Sequence, residues 1–281
     1  MNRLVIIGSN GFVGSAILNI AKSNNFEIFP INREAIDLIS NECTEKLNNI
    51  IMDGDIVVLA AAKAPAKNLS DLYYNINLIN LICNSLKYKR LNYLLNISSD
   101  AIFADSNKPI NEASPIGADN VHSIMHCMRE KIINHSITSP VGHIRPTLIF
   151  GENDPHNGYG PNRFIREANS NQNINLFGNG EERRDHIHID DVANIAMEMI
   201  KGKICKSINA VTGNIVTFQQ IAKECIKNND QLKINNLPRS GPMPHNGYRE
   251  FDNSALKEIF SNYNFTDVID YVREKTSNAL L

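Results

Sequence analysis

The first fourteen residues constrain the fold most. An apolar run ends directly in Gly8-Ser9-Asn10-Gly11-Phe12-Val13-Gly14, and a helical pattern opens inside the same segment. Glycines at this spacing allow a tight turn, a backbone approach to a pyrophosphate with no Cβ in the way, and close packing of helix on strand. The N-terminus of the helix then offers free N–H groups and the positive end of its dipole to phosphate oxygens. The context predicts a dinucleotide site that uses Gly8, Asn10, Gly11, Phe12, Val13 and Gly14; a purely structural turn is the alternative.

Short Val/Ile/Leu runs alternate with amphipathic stretches along the rest of the first half. Strands are expected near residues 3–8, 26–31, 55–60, 92–98 and 141–149, and helices near 11–23, 70–88, 117–136, 190–202 and 216–227. The continuous apolar runs IVVLAAA and YLLNIS suit strands buried on both faces. This alternation predicts an α/β fold, a Rossmann-type doubly wound parallel sheet. From Phe150 the texture changes: GENDPHNGYGPN and LPRSGPMPHNGY are rich in Gly, Asn and Pro, as loops of a smaller C-terminal lobe would be. The expected division is a dinucleotide-binding domain over 1–150, with a strand near 206–210 returning to it, and a mainly substrate-binding lobe over 151–281.

A chain of 281 residues can bury a sizeable core without covalent staples. Its five cysteines are scattered and never in a C-x-x-C pair, which argues against a disulfide framework or a zinc site and suits a cytoplasmic protein. A net charge of -2 with no block of basic residues argues against nucleic acid as a partner. The opening apolar run is too short to span a bilayer, so neither a signal peptide nor a membrane segment is expected.

Dinucleotide folds that take NAD usually carry an acidic residue at the end of the second strand, bound to the ribose 2′-hydroxyl. Here the strand FEIFPI is followed by Asn32 and Arg33. A neutral side chain beside a guanidinium suits a 2′-phosphate, so NADP is favoured over NAD, with Arg33 as a solvated loop residue the alternative.

With these residues in view, nearly the whole chain resembles the extended short-chain dehydrogenase/reductase family, the nucleotide-sugar epimerases, dehydratases and 4-keto reductases. GSNGFVG resembles that family's glycine motif. IDLIS, at Asp37 and Leu38, resembles its adenine-contacting stretch, and LAAAKAP, at Ala60, Ala61 and Ala62, the strand edge beside the adenosine. NISSDAIFAD resembles the active-site strand, and HIRPTLIFGENDP, with Pro146, the segment that reaches the nicotinamide. GNGEERRDHIHIDDVA matches the family's RD-x-x-x-V-x-D segment. The resemblance implies that Arg184, and Arg249 in YREFDNSALK, hold the diphosphate of a nucleotide sugar, with Asp100, Asn162 and Arg163 also at the substrate. Paired guanidiniums suit phosphate oxygens; a pairing of Arg184 with a neighbouring Asp is the alternative. The family pattern also allows a homodimer through the helices near 70–88 and 117–136.

The resemblance further implies a Ser or Thr on the active-site strand and a Tyr-x-x-x-Lys pair on the next helix. Ser99 fits the first role, unless it is a buried hydroxyl satisfied by backbone. Aligned by Pro115 and Glu130, His122 stands at the tyrosine position and His126 at the lysine position, so both usual residues are replaced. Four-residue spacing places the two imidazoles on one helix face. Imidazole titrates near neutrality, so His122 can protonate a forming alkoxide without a lysine to acidify it, while His126 would lie beside the cofactor. An H-x-x-x-H pair also has metal-site spacing, yet it lacks the intervening glutamate and a third ligand. Tyr159 in HNGYGPNRF is a second candidate donor.

Family dehydratases place an Asp-Glu pair after the Ser or Thr. Here Asp100 is followed by Ala101, so elimination lacks its acid/base. A net reductase consumes NADPH, whereas an epimerase typically retains NAD. The expected activity is therefore NADPH-dependent reduction of a 4-keto deoxysugar on a nucleoside diphosphate, with an epimerase as the runner-up and a non-catalytic NADP-binding protein as the rival.

Overall fold

The computed structural model of the chain describes residues 2–260 and 263–277. Its first half alternates strands β1 (Asn2–Ile7), β2 (Phe26–Ile31), β3 (Ile56–Leu59), β4 (Tyr93–Ile97) and β5 (Val141–Pro146) with helices α1 (Phe12–Lys22), α2 (Cys43–Ile50), α3 (Leu69–Leu86) and α4 (Val121–Ser136). Then follow β6 (Leu148–Phe150), α5 (Pro161–Asn169), β7 (Ile174–Phe177), β8 (Arg183–His188), α6 (Ile189–Gly202) and β9 (Ser207–Ala210). The remainder holds β10 (Ile215–Thr217), α7 (Phe218–Ile226), β11 (Ile234–Leu237), β12 (Tyr248–Arg249), α8 (Ser254–Ile259) and α9 (Val268–Ser277). These elements divide into two compact units. One runs to Ala104 and adds Glu112–Pro146 and Val192–Ala210; the other takes Asp105–Asn111, Thr147–Asp191 and Val211 onward.

The first unit is built on a six-stranded sheet in the order β2-β1-β3-β4-β5-β9, with every pairing parallel. Parallel sheets carry helices on both faces, which is why β3, IVVL, is buried at all four residues. Val5, Ile7, Val57, Leu59 and Leu94 share one cluster with Leu47 of α2, Leu78, Ile79 and Ile82 of α3, and Ile133 of α4. Caps fix where the helices begin. Asn68 accepts from the Asp71 N–H ahead of α3, and Asn120 and Ser123 form a reciprocal capping box at α4. The chain leaves β1 for β2 on one side and returns as β3 on the other. In a Rossmann-type doubly wound sheet, ligands bind beyond the carboxyl ends of the strands at such a switch point.

The apolar stretch 141–149, expected as one strand, is divided. β5 ends at Pro146, which has no N–H to extend a ladder, and β6 pairs with β8 instead. Four helices fall outside the expected set: α2, α5, α8 and α9. α2 buries only Cys43 and Leu47, too few apolar positions to show a period, and α5 starts with Pro161 at its first turn inside a stretch that reads as loop. The second unit carries β10-β8-β12 with β6 also on β8, a separate β7–β11 pair, and a core around Phe150, Phe164, Phe218, Ile221 and Val272.

Candidate dinucleotide cleft and arginine cluster

Beyond the ends of β1 and β3 lies a cleft of about 350 Å³. Gly8, Asn10 and Gly11 form its near wall, Ala60, Ala61 and Ala62 continue β3 along it, and Asn32, Arg33, Asp37 and Leu38 follow β2 into it. Ile36, Tyr74 and Leu78 complete the lining; they were not expected there. Tyr74 and Leu78 lie four residues apart on α3, a spacing that reads equally well as core packing.

The glycines are set by contact. Gly8 has φ +93°, and a Cβ there would lie 2.5 Å from the Ala61 nitrogen. A Cβ on Gly14 would lie 2.1 Å from the Gly8 carbonyl oxygen. The Gly8 and Ser9 amides both donate to the Ile31 carbonyl, at 2.8 and 3.1 Å, tying the turn to the end of β2. Gly11 precedes α1 without a capping side chain. Phe12 and Val13 stand in the first turn, whose amides have no intrahelical acceptor by helix geometry, and neither side chain lines the cleft. A cradle that any Cβ would fill, next to such amides, fits the pyrophosphate and adenosine of a dinucleotide.

At the end of β2 the Asn32 side-chain oxygen accepts from the Ala35 amide at 2.9 Å, which opens the turn and leaves Arg33 exposed. Asp37 accepts from the Ile39 amide.

Ser99 follows β4 and caps a single 3-10 turn, Asp100–Ile102, that packs against α4. Its Oγ accepts from the Ala101 amide at 3.1 Å and lies 3.4 Å from Asp100 Oδ1. On α4 the His122 and His126 rings meet edge to face with centroids 4.7 Å apart. The His122 Nδ1 accepts from the Ala66 amide at 3.4 Å, so the neutral ring carries its proton on Nε2. His126 is buried, and its Nδ1 has no partner among the described residues. Burial, then the charges of His122 and Arg129, push its pKa well below the usual range, so it stays neutral. Pro146 closes β5, buried and away from the cleft lining.

Glu130 pairs with Arg145 through two bonds of 2.9 and 2.7 Å. Burial pushes the Glu130 carboxyl up, and the Arg145 guanidinium more than offsets this, so it remains an anion.

In the second unit Arg184 and Arg249 are register partners on β8 and β12, and both are buried. Arg184 donates to the Pro244 carbonyl at 2.7 Å and the Arg183 carbonyl at 2.9 Å. Arg249 Nη1 lies 3.3 Å from Asp105 Oδ1 and 3.2 Å from His245 Nδ1; that imidazole is itself 2.5 Å from Asp105. Asp185 accepts from the Thr212 amide and hydroxyl and from the Gly213 amide, holding the turn after β9. Asn162 accepts from the Gly151 amide, and Arg163 pairs with Glu167 at 2.8 Å. Tyr159 is half-buried among Phe164, Phe177 and Phe218, and its hydroxyl accepts from the Phe177 amide at 3.2 Å. Burial, as the largest influence, raises its pKa. Sequence reasoning did not single out His245 or Asp105, which lie 140 residues apart in the chain.

Among the described residues no helix is long and apolar enough to cross a membrane, and no group of three His, Cys, Asp or Glu is placed to hold a metal ion. Residues 4–209 match the model of the NAD dependent epimerase/dehydratase family. The chain is 24% identical over 248 residues to a putative UDP-glucose 4-epimerase of Methanocaldococcus jannaschii, covering 78% of this chain and 79% of that protein. It is 22% identical over 257 residues to the CDP-abequose synthase of Yersinia pseudotuberculosis, covering 85% and 87%. Its fold matches that of UDP-N-acetylglucosamine 4-epimerase from Bacillus cereus with a TM-score of 0.82 at 20% identity, over 99% of this chain and 96% of that one.

Proposed function

The chain belongs to the NAD dependent epimerase/dehydratase family, and from that premise we propose that it is an NADPH-dependent reductase of a 4-keto deoxysugar carried on a nucleoside diphosphate. The observation that carries this reading is the end of β2, where Asn32 and Arg33 line the cleft. A 2′-phosphate meets a guanidinium there and no carboxylate at either position. NADPH suits a net reduction, since an epimerase recovers its cofactor within each turnover.

The chain's own groups then divide the work. The glycine turn and the first-turn amides of α1 hold the pyrophosphate, and Arg184 and Arg249 hold the substrate's diphosphate. Bound dihydronicotinamide supplies the hydride. Ser99 donates a hydrogen bond to the keto oxygen, and His122 delivers the Nε2 proton to it as the alcohol forms. His126, neutral beside it, adds no competing charge. An epimerase is the second reading, favoured by the likeness to proteins named as 4-epimerases.

The test follows NADPH absorbance with a panel of 4-keto-6-deoxy sugar nucleotides. Wild type is expected to oxidise NADPH, and His122→Phe to do so about 100-fold or more slowly, the usual loss for a general acid. A larger loss in Tyr159→Phe than in His122→Phe would transfer the donor role to Tyr159. Interconversion of UDP-hexoses with no net NADPH oxidation would decide for the epimerase. Tight NADP binding with neither reaction would decide for a non-catalytic protein.

A further inference from the structure

Arg129 lies three residues beyond His126 on α4 and is 1% exposed, among the largest fully buried side chains of the protein. Its guanidinium donates to the Leu59 carbonyl at 3.0 Å, the Ala61 carbonyl at 2.7 Å and the Asn96 side-chain oxygen at 2.5 Å. Asn96 in turn donates to His143 Nδ1, and His143 Nε2 meets the Asn134 oxygen at 2.9 Å. The network thus runs from the end of β3 across β4 and β5 and back to α4. Every acceptor in it is neutral. No carboxylate among the described residues pairs with Arg129, and although burial pulls its pKa down to about 10, it stays a cation at neutral pH.

A buried guanidinium without a counter-ion is costly and persists only where its bonds are all made. Its position is informative. It grips the chain on both sides of Ala60, and Ala61 is the residue against which Gly8 turns too closely for a Cβ. Whatever fixes Ala61 therefore fixes the glycine turn. His126, on the same helix and held neutral by its burial, carries no charge to oppose it.

We propose that Arg129 is the positioning residue of the cleft: from inside the unit it fixes the Ala60–Ala62 wall beneath the glycine turn, and it places there an uncompensated positive charge complementary to a dinucleotide's pyrophosphate. This rests on the reading of the cleft as a dinucleotide site. The charge acts through the wall and touches no ligand, so it favours anionic ligands without selecting NAD against NADP.

Two variants separate charge from support. Asn96→Asp keeps an oxygen on the Arg129 Nε and gives the cation a carboxylate, losing only the Asn96 N–H bond to His143, and Arg129→Met removes cation and bonds together. Dissociation constants for NADPH are measured by its fluorescence, constants for UDP by calorimetry, and the His126 ring is titrated by NMR. The expected result is NADPH binding about tenfold weaker in Asn96→Asp and weaker still in Arg129→Met, with UDP binding unchanged. The His126 imidazole should titrate higher in Asn96→Asp, because the opposing charge is neutralised; a purely structural role would not move it. Unaltered NADPH affinity in both variants overturns the inference, as does a parallel loss of NADPH and UDP binding. Wild-type protein that binds neither NAD nor NADP overturns the reading of the cleft and this inference with it.

Discussion

Arg249 stands directly across from Arg184 on the parallel β12–β8 ladder, so their side chains leave the same face of the sheet. Two buried guanidiniums side by side repel, and the Pro244 carbonyl, the Arg183 carbonyl and Asp105 offset this. Arg184→Gln and Arg249→Gln are each expected to weaken UDP binding by about 10- to 100-fold, the loss of a charge-assisted bond of about 1.5–3 kcal/mol. Calorimetry with UDP checks this, and NADPH binding serves as the control that should not change.

Asp105 already occupies Arg249 and His245. A diphosphate held by Arg249, as proposed, would compete with that carboxylate, so Asp105→Asn is expected to bind UDP a few-fold more tightly. A weaker complex would show that Asp105 supports the arginine instead of competing for it.

Gly14→Ala sets a methyl group against the Gly8 carbonyl, and the backbone must move to admit it. A cost of about 1–3 kcal/mol in urea unfolding is expected, the usual range for overpacking, together with loss of NADPH binding. Gly158→Ala, where nothing lies within 4 Å of the added carbon, should match wild type in both measurements.

Cofactor choice is testable at the end of β2. Arg33→Ala is expected to lower the preference for NADP over NAD by about tenfold, and Asn32→Asp to reverse it by placing a carboxylate at the 2′ position. The ratio of dissociation constants is the readout. A preference that ignores both changes would remove the basis for reading the protein as a reductase.

His186 is buried against Phe218, and burial lowers its pKa to about 3, below the ordinary 6.5. Between those two values the unfolded chain binds a proton that the folded chain refuses. Its contribution is therefore complete above pH 6.5 and is lost as pH falls, by about 2 kcal/mol at pH 5. Buried His126 and His143 shift in the same direction. Denaturant midpoints at pH 5 and pH 8 should show the slope, and His186→Phe should reduce it without costing a hydrogen bond, since neither ring nitrogen has one among the described residues.

Much of the cleft was legible because its requirements are local. Gly8, Asn32 and Ala60–Ala62 sit in or beside strand ends, and Gly14 in α1 packs against the Gly8 carbonyl, so the constraint falls on the backbone itself. Arg129 was not legible: an arginine in an amphipathic helix reads as a solvated side chain, and only the three-dimensional meeting of α4 with the ends of β3 and β4 buries it. His245 was equally hidden, since Asp105 and Arg249 become its neighbours only through folding. The second unit's short strands, such as the two-residue β12, carry too little pattern to read.

The sixth strand of the large sheet has a consequence for how the protein is made in a cell. β9 pairs with β5, yet the roughly 60 residues between them take about 3–12 s to synthesise at ordinary ribosomal speeds. During that interval β5 presents an open strand edge, the kind of surface on which a second nascent chain can pair. The segment that forms β6, β7 and β8 emerges inside the same window. Codon choice between residues 147 and 207 therefore bears on how much of the protein stays out of aggregates.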